Sequence, residues 1–515
     1  MSNILRKELL QTTRLASQKY SQATADCDVI VPDVCPDIKK ILDVSGYISI
    51  SEKSLLGGKV YIQGTVYMTV LYVPDGETLN KVKSLSASQP FNHSIDLGQV
   101  SDSLILSTDI EAEQFGYTLI NSRKINLRCT IGANVKLFES ESFEIASSAD
   151  LSNEICAQSQ KLCLCDTPVS FESRILLSSQ AELPSNNPSI GEILKANVSC
   201  ESSELIVSEN SALAKGQARI CFLYTSYNDG SVHSSEVILP FEETLDVSGL
   251  EEDMEAEIEY LLDHIQHKVQ EDSDGEPRIF DFEIGLSAHL KGIRIYEPEI
   301  LCDAYALSGK LNCSSLSLKL EQLVNNTTAQ LTHKTSVRLP DHLPEIAKIC
   351  DISAVASVDR ILVNDKGITV FGHIKSDILY TTTDEAYPLC SFSDASEFTH
   401  IMPSPVTDED LICEARIFTE HTSYTMNNSD SIDIRTVLGL SVRSFTERTV
   451  SPIVEAEHEI VEDAHKKPAI CIFFAQEGDT LWDIAKKYRT TVEKLYENNN
   501  LTSDHITVGQ QIRIC

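Results

Sequence analysis

Along residues 59–73, KVYIQGTVYMTVLYV, apolar and polar positions alternate: Val60, Ile62, Val66, Met68, Val70 and Tyr72 fall on one side. A period of two predicts a half-buried β-strand. Gly64 stands on that inward side, where a missing Cβ marks a bulge or a close approach by another backbone. The pattern belongs to a longer repeat. PDVCPDIKKI from Pro32, PSNNPSIGEI from Pro184 and PDHLPEIAKI from Pro340 all read Pro-x-x-x-Pro-x-Ile-x-x-Ile. A glycine follows 28 residues after each second proline (Gly64, Gly216, Gly372), and a tyrosine 8 residues later (Tyr72, Tyr224, Tyr380). The copies are offset by 152 and then 156 residues, a register that chance does not hold over five anchors. Looser anchors follow at Pro90-Phe91, Pro240-Phe241 and Phe398, and INLRCTIG, FDFEIGL and IDIRTVLG correspond near the module ends.

The prolines fix φ and stop the preceding strand. The Ile-x-x-Ile pair predicts a short helical turn that lids the sheet with two apolar side chains. The tyrosine packs and caps the strand end and is not read as catalytic. Turn clusters such as VPDGE and SYNDGS complete a mainly β reading of three tandem domains. Two helical stretches are expected beside them. One is a short amphipathic helix at residues 1–19, and the other a patch in copy two, LEEDMEAEIEYLLDHIQHKVQEDSDGEP.

The last segment, CIFFAQEGDTLWDIAKKYRTTVEKLYENNNLTSDHITVGQQIRIC, reads strand, helix, helix, strand. Ile472, Phe473 and Phe474 predict a short buried strand. Thr480 with Asp483, and Thr490 with Glu493, supply helix start signals. Leu481, Ile484, Ala485 and Tyr488 form one stripe, and Val492, Leu495 and Tyr496 a second. Asn498–Asn500 is a natural αL stop, and Ile512 and Ile514 point inward from the final strand.

Length and composition change the picture further. The 515 residues suit about three or four domains. A formal charge of −35 argues against nucleic acid and against adhesion to anionic lipid by charge alone. Residues 471–515, with five basic and six acidic side chains, form a near-neutral module on an acidic body. The 15 cysteines show no framework spacing, which suits buried thiols in a reducing compartment. The start has no apolar h-region, and no apolar run is long enough for a transmembrane span. A soluble, cytoplasmic protein is expected.

Other constellations carry little. His264 and His267 pair on a helix face without a third ligand. Cys163 and Cys165 read as linker thiols, and acidic runs such as Glu251-Glu252-Asp253 as solvated surface. No phosphate loop, nucleophile elbow or zinc-protease motif occurs, so no catalytic residue, metal or cofactor is assigned.

The C-terminal segment resembles a LysM domain through Gly478, Asp479, Thr480, Leu481, Ile484, Ala485, Tyr488, the Asn run, Leu501, Ile506, Val508, Gly509 and Gln510. The resemblance implies a shallow groove for N-acetylated sugars lined by Gly478, Asp479, Thr480, Leu481, Asn500, Leu501 and Ile506. Trp482, the only tryptophan, lies off the apolar stripe and has two readings. It is an exposed contact residue beside the groove, or it closes a small hydrophobic patch. Three such modules followed by one LysM resemble the SPOCS-domain proteins of endospore formers.

The expected division is an N-terminal helix (1–19), SPOCS repeats at 20–150, 167–318 and 325–453, a charged linker (454–469) that lets the tail reach independently, and a βααβ LysM domain (470–515). The resemblance implies a non-enzymatic scaffold of spore coat assembly. It would act in the mother-cell cytoplasm, at the forespore outer surface, and dock a coat-basement ATPase (SpoIVA-like) through LysM. The alternative is a protein that binds peptidoglycan, or a chitin-like glycan, and anchors to cortex or wall.

Overall fold

A computed structural model describes residues 5–76, 80–101, 104–149, 154–165, 169–384, 386–406, 410–459, 471–501 and 503–514. The first module contains β1 (Leu5–Ile30), β2 (Ile38–Leu56), β3 (Lys59–Pro74), β4 (Lys83–Asp96), β5 (Ile105–Asn121) and β6 (Lys124–Ala149). β7 (Ile155–Lys161) and β8 (Leu164–Cys165) lead into the second, which holds β9 (Val169–Glu182), β10 (Ile190–Ser208), β11 (Ser211–Ser226), β12 (Val232–Asp246), β13 (Glu255–Glu271) and β14 (Pro277–Ile293). β15 (Ile295–Tyr296), β16 (Glu299–Ala306) and β17 (Lys310–Ser315) connect to the third: β18 (Leu318–Arg338), β19 (Ile346–Asn364), β20 (Gly367–Thr382), β21 (Leu389–Met402), β22 (Ile412–Asn428) and β23 (Ser431–Val450). β24 (Ile453–Glu459) precedes the C-terminal domain, which holds β25 (Ile472–Phe474), α1 (Leu481–Tyr488), α2 (Val492–Asn499) and β26 (Gln511–Arg513).

Each module is a sandwich of two three-stranded antiparallel sheets, β2-β3-β4 on β1-β6-β5 and their counterparts. The repeat anchors explain its construction. Pro32, Pro184 and Pro340 follow β1, β9 and β18 after a single residue. Ile-x-x-Ile forms no helical turn, which corrects the expected lid. Both isoleucines begin a strand, and irregularities after Ile38 and Ile41 each insert one residue against β3. The first extra residue resets the alternation, so Ile38 and Ile41 both face the core although they are three apart. The same two shifts occur in β10 and β19.

Gly64, Gly216 and Gly372 pair directly with Phe91, Phe241 and Phe398 on the neighbouring strand. A Cβ on Gly216 would lie 2.6 Å from the Glu201 carbonyl oxygen and 2.6 Å from the Phe241 ring. Another bulge brings that carbonyl in, so close backbone approach and a covering ring together require glycine. Tyr72, Tyr224 and Tyr380 are fully buried. Their hydroxyls donate to the carbonyls of Pro36, Pro188 and Pro344 at 3.3, 3.1 and 3.0 Å. The tyrosine thus ties the strand end to the proline turn.

The modules close a ring. β4 packs on β10, β12 on β19, and β21 back on β2, one head-to-tail contact used three times. Leu71, Leu223 and Leu379, with Leu42, Leu194 and Cys350, meet in one cluster on the resulting pseudo-threefold axis. Leu42, Leu194 and Cys350 are the extra residues of the second bulge, so the irregularity that aims Ile41 into its module sends the next side chain to the axis. Beside them lie Asp43, Lys195 and Asp351, also equivalent. Lys195 pairs with Asp43 at 3.3 Å, and Asn197 donates to Asp351 at 2.6 Å. At the other end, the tails of β1 and β6 and the ribbons β7–β16 and β17–β24 pack together around Leu5, Ala146, Leu301 and Ile453. Residues of all three modules line a partly open cavity of about 170 Å³.

Two expected helices are strands. Residues 5–19 form the first half of β1, paired with β6, and Glu255–Glu271 form β13, paired with β14. Helix-forming residues are common in both, but propensity is a weak local preference and the sheet partner decides. His264 and His267 therefore share no helix face. They stand across from Gly285 and Phe282, on opposite sides of the sheet. The charged linker is also shorter than expected, because 454–459 belong to β24. Its remainder, and residues 1–4, lie outside the described residues.

Candidate functional site

The C-terminal domain follows its local signals closely. Thr480 caps α1, its hydroxyl accepting the Asp483 N–H at 3.1 Å. The second cap is Thr491 accepting from Lys494, one residue beyond the expected Thr490 and Glu493 pair. Asn500 closes α2 at φ 51°. Asn499 fastens that helix to β26, donating to the Leu495 and Arg513 carbonyls, both at 2.8 Å, and accepting from the Arg513 N–H at 2.6 Å. In β25 only Phe473 turns inward. Ile472 and Phe474 are exposed, because a two-stranded sheet buries one face.

The groove positions assemble around two adjoining turns, where Ala475 and Gly509–Gln510 exchange backbone hydrogen bonds at 2.7 and 3.0 Å. Gly478, at φ +90°, Thr480 and Asn500 are exposed, and Asp479 holds its turn by accepting the Gln476 N–H at 2.7 Å. Leu481 is buried, and Leu501 and Ile506 pack half-buried in the same cluster. The structure thus offers an open rim of small and polar groups over an apolar floor, suited to a ligand with both a polar edge and an apolar face.

Trp482 is placed elsewhere. Its indole N–H donates to Asp303 of β16 at 2.8 Å, and its ring meets Tyr305 edge-on at 5.0 Å. Lys486 binds the same carboxylate at 2.6 and 2.7 Å, and the Tyr305 hydroxyl donates to the Thr490 carbonyl at 2.7 Å. Tyr305 is 6% exposed, and its burial pushes the phenol pKa up. Of the two readings of Trp482, the geometry matches the closing of an apolar patch, and that patch joins the domain to the ring. Asp303 and Tyr305 carry no sequence signal: they fall inside the stretch expected as repeat two (167–318), away from its anchors, whereas the structure places them on β16, beyond the sandwich strands of that module.

Among the described residues, no group of three or more His, Cys, Asp or Glu side chains could hold a metal ion, and no helix is long and apolar enough to cross a membrane.

Three head-to-tail β-sandwiches carrying a βααβ domain define a modular binding protein. Comparison with known families agrees. A LysM domain matches residues 475–514, and the family described as SipL, SPOCS domain, matches 37–120, 189–270 and 345–427. The chain belongs to the SPOCS-domain proteins that end in a LysM domain. These are non-catalytic binding domains. The SPOCS domains indicate a sporulation protein related to the spore coat, and the LysM domain supports peptidoglycan binding.

Two curated relatives match over short stretches. The probable peptidoglycan endopeptidase LytE of Bacillus subtilis (strain 168) is 51% identical over 39 residues, 8% of this chain and 12% of that protein. The uncharacterized protein YkzQ of the same organism is 44% identical over 43 residues, 8% of this chain and 57% of that one. The chain therefore spans only part of either relative. Among solved structures, the ferric yersiniabactin uptake receptor FyuA from Yersinia pestis aligns over 84% of this chain and 71% of that chain. At 9% identity and a TM-score of 0.11, it carries no argument.

Proposed function

We propose that the chain is a non-enzymatic scaffold of endospore coat assembly. It acts in the mother-cell cytoplasm at the forespore outer surface, where it recruits a coat-basement ATPase of the SpoIVA kind through its LysM domain. One observation carries this reading: the LysM domain is fastened to the SPOCS ring by Asp303 and Tyr305 while its groove rim stays exposed. A domain held this way presents its binding surface in a fixed relation to the other modules, which is what an adaptor requires. Affinity capture from sporulating cells, using the full chain and an Ile506→Lys variant, tests it. The ATPase should be retained by the parent chain and lost from the variant.

A second reading, an N-acetylglucosamine glycan in the groove, is favoured by the open rim over an apolar floor and by the 51% identity with LytE over 39 residues. Calorimetric titration of the full chain with chitin-type oligomers separates the two. Oligomer binding, with ATPase capture untouched by Ile506→Lys, would establish a glycan anchor instead.

A further inference from the structure

The face of α1 that meets the ring has a chemistry that describes its ligand. A single carboxylate, Asp303, accepts from both the Trp482 indole and the Lys486 ammonium. Two residues along the same strand, Tyr305 packs on the Trp482 ring and donates to the Thr490 carbonyl. Two strand residues advance ~6.8 Å, and the segment from Lys486 to Thr490 runs through the end of α1 and its left-handed cap at Arg489, so the two contacts sit at opposite ends of it. An extended segment with an acid two residues before a tyrosine therefore engages both ends of the face at once. Helical or reversed segments do not offer that pairing, since side chains two apart on a helix point apart. The carboxylate keeps contact with water, its side chain being 31% exposed and that of Lys486 43%. The polar half of the contact thus lies at a solvent-accessible edge, where exchange for another ligand is not blocked by burial.

We propose that this α1 face is a recognition surface for extended acidic–aromatic segments of the Asp-x-Tyr kind, with strand β16 as its resident ligand. A protein partner that uses Trp482 has to present such a segment and displace β16. A ligand of the groove rim binds with the domain still docked. The inference rests on the docked geometry and holds whichever partner the scaffold serves.

Trp482, the only tryptophan in the chain, reports the contact directly. The experiment compares the full chain with its Asp303→Lys variant by tryptophan emission and acrylamide quenching, with far-UV circular dichroism to confirm an intact fold. The variant should show red-shifted emission and stronger quenching, as the indole loses its acceptor and its aromatic neighbour. A synthetic peptide of residues 299–307 should then restore the blue-shifted emission saturably, and the same peptide with Ala at the Asp303 position should not. If charge reversal disturbs the strand, Asp303→Leu, close in size but without an acceptor oxygen, should give the same red shift. Emission unchanged in both variants, or equal responses to the two peptides, overturns the proposal. Neither outcome depends on ATPase capture, so this inference and the scaffold reading fail separately.

Discussion

Removing one oxygen from each repeat tests whether the tyrosine anchor is a common structural device. Tyr72→Phe, Tyr224→Phe and Tyr380→Phe keep the ring and its packing and delete only the hydroxyl that donates to a proline carbonyl at 3.0–3.3 Å. A neutral hydrogen bond contributes ~1 kcal/mol net, and a buried acceptor left without its donor costs ~1–3 kcal/mol. The parent side chains are fully buried, so water gains little access to the vacated carbonyl. We expect each variant to lose ~1–2 kcal/mol, with similar values in the three modules. Urea unfolding followed by far-UV circular dichroism reads this as a lowered midpoint, with the slope checked for departure from two-state behaviour. Three unchanged midpoints, or a loss at one site alone, would refute the claim that the anchor ties strand end to proline turn in every copy.

The same tyrosines set an alkaline limit. Burial pushes Tyr72 and Tyr224 up to about 12, so the fold favours the neutral phenol. Their stabilisation is complete below the unfolded value near ~10 and declines as pH climbs from there through the folded value. Stability measured between those limits should fall, and fall less in the two Phe variants. Gly216→Ala should cost ~1–3 kcal/mol by overpacking, whereas Gly116→Ala, whose Cβ meets nothing within 4 Å, should be tolerated in thermal melts. Lys195→Ala leaves the Asp43 carboxylate beside the axis without its cation. Lys195 and Asp43 are 13% and 15% exposed, so we expect ~2 kcal/mol, below the ~3–5 typical of a fully buried pair, read as a lower urea midpoint.

Local pattern determined much of this protein. Strict alternation defined β3, the Pro, Gly and Tyr anchors defined three equivalent modules, and the Thr caps and apolar stripes defined the LysM helices. Each of these is a short-range physical constraint: a fixed φ, an absent Cβ, a period of two or 3.6. The turn at Gly478 and the helix stop at Asn500 were legible for the same reason. Pairing over long sequence distance decided the rest. Residues 5–19 and 255–271 became strands because β6 and β14 offered complete ladders, against residues that individually favour helix. Ring closure depends on bulge residues such as Leu42, whose outward aim appears only when β2 pairs out of step with β3. Trp482 found Asp303, 179 positions away, through the docking of one domain on a ribbon between two others. No periodicity encodes that contact, because it is a meeting of surfaces that exist only after each element has folded.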